Sequence, residues 1–286
     1  MRPCENGPVI SDSLTASAAV RSDDVVVTAP DIRAVLFDLD GTLVDPAGAI
    51  TLGIVHALNV HGIEIPDQEV LDSFVGPPLA TSLASLPGVT EAMIPSIVEE
   101  YRQRYLAEGM QASRVYPGIE DLLRTLNAAG VVCAVATSKP TGLAERLLSI
   151  QGIRDHFAAV AGSPEDESIP HAGKGPILGA ALEAIGLEPA DGPLAETSPQ
   201  AKVVMVGDRI FDVDGAAAHG LSCIGVRWGY APAGELEQAG ARPIVSTAER
   251  LEEALVSAGI LVPVKQPAYA PGYVRFVVPQ GRRTLD

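Results

Sequence analysis

Residues Ile32 to Asp45 read Ile-Arg-Ala-Val-Leu-Phe-Asp-Leu-Asp-Gly-Thr-Leu-Val-Asp, an apolar run that ends in two carboxylates spaced two apart and then a Gly-Thr turn. Such a run reads as a buried strand that delivers acids to its carboxyl end. Side chains alternate along a strand, so Asp38 and Asp40 project together while Leu39 points away. Two acids placed this way repel each other and are costly to desolvate unless a cation sits between them. The pair therefore asks for a metal. The plainer alternative is an Asp-Gly turn closing an ordinary strand, which would need no matching groups elsewhere. Asp45, followed by Pro46, reads as the cap of the next helix.

Beyond Pro46 the rhythm changes. Ile50, Ile54 and Leu58, with Ala57, recur at helical spacing, and Ile97, Tyr101 and Tyr105 do the same on a helix beginning at Pro95, where Glu100 and Arg104 form an i,i+4 pair. Residues 46–114 are thus expected to form a helical insert, interrupted by the helix-breaking turn Ser73-Phe74-Val75-Gly76-Pro77-Pro78-Leu79. From Tyr116 the chain alternates. Helices are expected at Ile119–Ala129, Thr141–Ile150, Pro176–Ile185, Val213–His219 and Ala248–Ala258. Strands are expected at Val131–Ala136, Phe157–Ala161, Lys202–Val206, Ser222–Val226 and Pro243–Val245. Alternation of this kind predicts an α/β fold, a doubly wound parallel sheet covered on both faces, with the helical insert as a small cap after the first strand. The expected core is 31–45 with 115–261. Residues 1–30 and the Pro-rich 262–286 read as tails with little to bury, although Tyr273–Val278 could pair as an edge strand. The Gly/Pro/acid-rich stretch 186–200 falls in a helix-to-strand loop, on the sheet edge away from the acids.

With 36 acidic against 20 basic residues, the formal charge of −16 argues against a nucleic-acid backbone or an anionic membrane as partner. No apolar run reaches membrane-spanning length, and the first thirty residues lack the pattern of a signal peptide. Cys4, Cys133 and Cys223 show no paired or ligand spacing, and the five histidines form no cluster with them, so reduced cysteines in a cytoplasmic protein are expected and zinc is not. Lysine occurs only at 139, 174, 202 and 265. Each one is therefore easier to assign.

In parallel sheets, ligands collect beyond the carboxyl ends of strands. There the chain places Thr137-Ser138-Lys139, Lys174 before a helix, and Gly207-Asp208-Arg209-Ile210-Phe211-Asp212. Together with Asp38-Leu39-Asp40-Gly41-Thr42-Leu43-Val44-Asp45, these four segments resemble, in order, the motifs of the haloacid dehalogenase-like hydrolases over about residues 33–255. The resemblance implies a Mg2+-dependent phosphatase in which Asp38 is the nucleophile and Asp40 the general acid/base. Thr137 and Ser138 would hold phosphoryl oxygens and Lys174 would neutralise charge, with Lys139 as its competitor for that role. Asp38, the Asp40 carbonyl and Asp208 would bind the metal, and Asp212 would orient its waters. Gly41, Thr42 and the cap-loop Gly76 would meet the substrate. Dehalogenating relatives lack an acid at the Asp40 position, so its presence favours phosphoryl chemistry. Gly76-Pro77-Pro78-Leu79 and Trp228-Gly229-Tyr230 are similar to segments of phosphoglycolate phosphatase-like members, and also of relatives described as 5′-nucleotidases. The expected partner is therefore a small anionic phosphomonoester, 2-phosphoglycolate first, with a nucleotide, a phosphotransferase or phosphomutase reaction, or a non-catalytic binding role as alternatives. The tails are candidates to dock a protein. Asp214, His56 and His61 are expected at the surface or in packing.

Overall fold

The first strand, β1 (Ala34–Phe37), is fully buried, and its alternation divides the molecule. Val35 and Phe37 enter one apolar layer, while Ala34 and Leu36 enter the other. A strand buried on both faces must sit in the middle of a sheet, and β1 does.

The structure, a computed structural model, describes residues 32–46, 48–166, 173–189 and 202–262. The expected tails, Cys4 and most of the 186–200 stretch lie outside the described residues. After β1 come β2 (Val44–Asp45), α1 (Ala49–Val60), α2 (Gln68–Ser73), α3 (Leu79–Ala84), α4 (Ile94–Arg104), α5 (Met110–Ala112) and β3 (Arg114–Val115). The alternating part follows as α6 (Ile119–Ala128), β4 (Val132–Pro140), α7 (Thr141–Ile150), β5 (Ala159–Ser163) and α8 (Gly175–Ala184). It ends with β6 (Val203–Gly207), α9 (Ile210–Ala218), β7 (Ser222–Val226), α10 (Glu235–Ala239), β8 (Ile244–Val245) and α11 (Ala248–Ser257). Six strands form one parallel sheet in the order β5-β4-β1-β6-β7-β8. The chain winds outward from β1 through β4 and β5, then crosses back to β6 and winds the other way. A crevice opens where that direction switches, at the carboxyl ends of β4, β1 and β6.

Helices cover both faces because their apolar residues fall on one stripe. In α6, Ile119, Leu122, Leu123 and Leu126 are buried against the sheet, and in α8 Ile177, Leu178, Ala181 and Leu182 pack on the opposite face. Between β2 and β3 the insert buries Ile50, Ile54, Ala57 and Leu58 of α1 against Ile94, Ile97, Val98 and Tyr101 of α4, as the spacing predicts. β2 and β3 pair antiparallel, so both chain crossings into the insert lie side by side.

Local differences from the sequence expectations have identifiable causes. Asp45 does not cap a helix. It pairs opposite Arg114 in the β2–β3 ribbon and accepts a hydrogen bond from the Tyr230 hydroxyl at 3.1 Å, while Gly48 takes the cap position of α1. Glu100 meets His56 at 2.9 Å rather than Arg104, which pairs with Glu108 at 3.3 Å. Tyr105 continues the α4 stripe but lies in a π-helical turn, Tyr105–Gly109, with its ring stacked 5.7 Å from that of Tyr101. β4 runs on to Pro140 through an irregular register after Ala136, and α9 starts three residues early because the Asp212 carboxylate accepts the Arg209 N–H.

Candidate active site

Five strand ends or helix starts converge on the crevice. Asp38 follows β1, its N–H donating to the Val206 carbonyl at 2.9 Å and so extending the β1–β6 ladder by one residue. Thr137, Ser138 and Lys139 close β4, Lys174 precedes α8, Asp208 follows β6, and Asp212 lies in the first turn of α9. Lys174 Nζ stands 2.6 Å from Asp38 Oδ1 and also pairs with Asp212 Oδ1. Asp38, Asp208 and Asp212 each offer a carboxylate oxygen, all within 4.8 Å of one another, and all three residues are buried.

The electrostatics follow from that crowding. Burial, with Asp38 and Asp212 close by, pushes the Asp208 carboxyl up to about 8. Burial pushes Asp212 up to about 6, against the pull of Lys174. Burial alone would lower the Lys174 ammonium, but the Asp212 and Asp38 carboxylates hold it above its ordinary value. Three acids facing one ammonium leave negative charge uncompensated. An all-oxygen donor set of this kind fits a hard divalent cation such as Mg2+, which tolerates few protein ligands and keeps waters.

Two glycines let the backbone close around this cluster. Gly41 has φ +86°, and any Cβ there would run into the Asp208 carboxylate. A Cβ on Gly229 would meet the same carboxylate. Asp208 is further held by the Thr42 hydroxyl, donating to Oδ1 at 3.0 Å, and by the Tyr230 N–H, donating to Oδ2 at 2.8 Å. The Thr42 side chain, expected toward substrate, thus faces the acid, and its carbonyl accepts the Trp228 indole N–H at 3.0 Å.

On the other side of Asp38 lies a cavity of about 40 Å³, lined on the sheet side by Asp38, Asp40, Thr137, Ser138 and Lys139. The insert supplies its other wall, including Ile50, Phe74, Gly76, Leu79 and Tyr101. Lys139 Nζ lies 2.9 Å from Asp40 Oδ2 and 4.4 Å above the Tyr105 ring. Asp40 Oδ1 and the Tyr105 hydroxyl are buried without a hydrogen-bond partner. Burial raises the Asp40 carboxyl above its ordinary value, with Lys139 opposing. For Lys139 burial opposes and Asp40 prevails, so the ammonium is held well above its ordinary range.

The structure therefore gathers Asp38, Asp40, Thr137, Ser138, Gly76, Lys174, Asp208 and Asp212 at one place, with Gly41 and Thr42 just behind Asp208. Asp214 is exposed, away from it. Two further residues at the crevice, Arg209 and Glu235, are not legible in the sequence. Arg209 joins the crevice to the insert, donating to the carbonyls of Ser73 and Val75, while Glu235 holds its guanidinium. A lone arginine between two acids carries no signal of its own. Only its reach to residues more than 130 positions away identifies it.

A parallel sheet with acids at its switch point, one lysine bridging two of them and a helical insert over the cavity defines the class: the chain belongs to the haloacid dehalogenase-like hydrolases, whose family model matches residues 35–226. Its relatives include phosphoric monoester hydrolases of that family. It is 40% identical over 223 residues to the tyrosine-protein kinase PtkA of Mycobacterium tuberculosis, covering 77% of this chain and 72% of that one. It is 37% identical to a 5′-nucleotidase of Pseudomonas aeruginosa, covering 71% and 86%, and 32% identical to a phosphoglycolate phosphatase of Xylella fastidiosa, covering 69% and 81%. Among solved structures it resembles a predicted phosphatase from Clostridium acetobutylicum, with a TM-score of 0.70, 34% identity and coverage of 79% and 99%. Among the described residues, no helix is long and apolar enough to cross a membrane.

Proposed function

We propose that this chain hydrolyses a small phosphomonoester with Mg2+ bound, through an aspartyl phosphate formed on Asp38. One observation carries the reading: Lys174 bridges Asp38 and Asp212, while Asp40, tied to Lys139 through one oxygen, has its other oxygen buried and unpartnered. Asp38, Asp208 and the Asp40 carbonyl would hold Mg2+, with Asp212 ordering its waters, and the bound ion would supply positive charge beside the phosphoryl oxygens.

Asp38 attacks phosphorus in line with the leaving oxygen. Lys174 offsets charge on the equatorial oxygens, and Thr137 with Ser138 orients them. Asp40, its carboxyl raised by burial, protonates the leaving alkoxide and then takes a proton from the water that opens the acyl phosphate. The insert, carrying Gly76, excludes bulk water from the cavity.

Among small phosphomonoesters, 2-phosphoglycolate is the first choice. The Xylella relative supports this choice. A nucleoside monophosphate is the second reading, supported by the 5′-nucleotidase relative. The tyrosine-protein kinase relative supports a further variant, in which a protein hydroxyl replaces water as acceptor. The composition supports a cytoplasmic setting.

The test is phosphate release from 2-phosphoglycolate, nucleoside monophosphates and sugar phosphates, with and without Mg2+, by the native chain and by Asp38→Asn. Mg2+-dependent release that disappears in the variant is expected, greatest for 2-phosphoglycolate. No release from any of them by folded, Mg2+-loaded protein would remove the hydrolase reading in favour of a transferase.

A further inference from the structure

Three of the cavity-lining residues, Phe74, Gly76 and Pro77, sit on one loop of the insert, between α2 and α3. That loop has no regular partner strand. The carbonyls of Ser73, the last residue of α2, and of Val75 in the loop, on either side of Phe74, both accept from Nη1 of Arg209, the Ser73 contact at 3.3 Å. Arg209 belongs to the other part of the molecule, between Asp208 and the start of α9.

The arginine is held from every direction. Its Nε donates to Glu235 Oε1 at 2.9 Å and its Nη2 to Glu235 Oε2 at 3.3 Å, a two-pronged pairing that leaves Nη1 aimed at the loop. Glu235 Oε1 also accepts the Ile210 N–H at 2.9 Å, and the guanidinium lies 5.5 Å from the Phe211 ring centroid. The Arg209 backbone N–H donates to Asp212 Oδ2 at 3.0 Å. Arg209 is buried. Gly76 adopts φ +110°, and a Cβ there would lie 3.0 Å from Arg209 Cγ, so the loop is packed onto the arginine stem as well as bonded to its head.

We propose that Arg209, fixed by Glu235, is a specificity-determining positioning residue: it sets the Phe74–Pro77 loop at a fixed height over the acid cluster and so decides which leaving groups fit. It touches no reacting atom. A single residue thereby references the wall that meets the leaving group to the backbone that carries Asp208 and Asp212. Lysine cannot replace it, since an ammonium lacks the planar fork that serves Glu235 and two carbonyls together.

This inference rests on the phosphatase reading for its kinetic test and stands apart from it for its structural one. Hydrogen exchange across residues 73–79, compared between the native chain and Arg209→Lys or Glu235→Gln, reads the loop directly and needs no substrate. At least about tenfold faster exchange there, with exchange in β1 and β6 unchanged, is expected. Unchanged exchange at 73–79 would overturn the proposal. For the kinetic arm, kcat and KM are measured on the same phosphomonoester panel. In Arg209→Lys the loss is expected mainly in KM, and the ratio of kcat/KM between the best substrate and the poorest should fall by about tenfold or more. Guanidinium ion added to Arg209→Ala should recover part of that ratio. A uniform fall in kcat for every substrate, with native ratios kept, would overturn the proposal by assigning Arg209 to the acid cluster instead. If the native chain releases no phosphate at all, the phosphatase reading fails and the exchange comparison alone decides this one.

Discussion

Lys139 Nζ lies 2.9 Å from Asp40 Oδ2, and both side chains are buried. The lysine that the sequence places beside Thr137 and Ser138 is thus spent on the second acid of the opening strand, while Lys174 takes the first. Each of these two acids has its own ammonium.

That division predicts how Lys139→Met behaves. Without the ammonium, Asp40 loses the contact that orients it, and proton delivery to the leaving oxygen suffers. A leaving group of high pKa needs that proton and a nitrophenolate does not, so alkyl phosphates should lose about 10²-fold or more in kcat while p-nitrophenyl phosphate loses much less. Equal losses on both would show that Lys139 contacts phosphate instead.

Removing Lys174 acts differently. Lys174→Met leaves Asp38 and Asp212 as buried acids without their cation, and a broken buried pair costs about 3–5 kcal/mol. Urea unfolding should show the loss without Mg2+ and a partial recovery with it, and phosphate release should disappear.

Thr42→Val tests the support behind Asp208. The hydroxyl bond to a buried carboxylate is worth about 1.5–3 kcal/mol, and outer-sphere partners of metal ligands change affinity by about 10–100-fold. The Mg2+ concentration for half-maximal activity should rise by about tenfold, with kcat at saturating Mg2+ changed little.

Stability should fall with rising pH in the metal-free protein. The Asp208 carboxyl is raised from 3.8 to about 8, so between those values the folded state holds a proton that the unfolded chain has released. The associated stability is present at low pH and is lost as pH rises through about 8; the Asp212 carboxyl, raised to about 6, adds the same sign. Thermal midpoints recorded in a chelator from pH 5 to pH 8 should fall, and added Mg2+ should restore more at the upper end, because the ligands must be ionised to bind it. A midpoint that rises over this range would contradict the arrangement of buried acids.

Much of this architecture was legible in the sequence because it depends on local rules. Apolar runs with acids at their ends located the strands of the sheet, and the stripe Ile50, Ile54, Ala57 and Leu58 located the first helix of the insert. Limits such as Thr141–Ile150 and Ser222–Val226 coincide with the sequence expectation because a breaker or a strand-end residue marks each one. Asp45 misled for the opposite reason. An acid before proline caps a helix by local chemistry, but the pairing of Val44 with Val115, 71 residues on, draws the chain into an extended ribbon first.

By itself, the sequence determined the parallel α/β class, the helical insert and the identity of the acids and lysines at the crevice, because periodicity and strand-end chemistry act over a few residues. The tertiary structure decided which lysine meets which acid, that Thr42 turns to Asp208, and that Arg209 bonds to Ser73 and Val75. Those choices join residues brought together only when the sheet winds both ways from β1 and the insert folds back over it. No local pattern encodes such a meeting, since the strength of each buried pair depends on distances that packing alone sets.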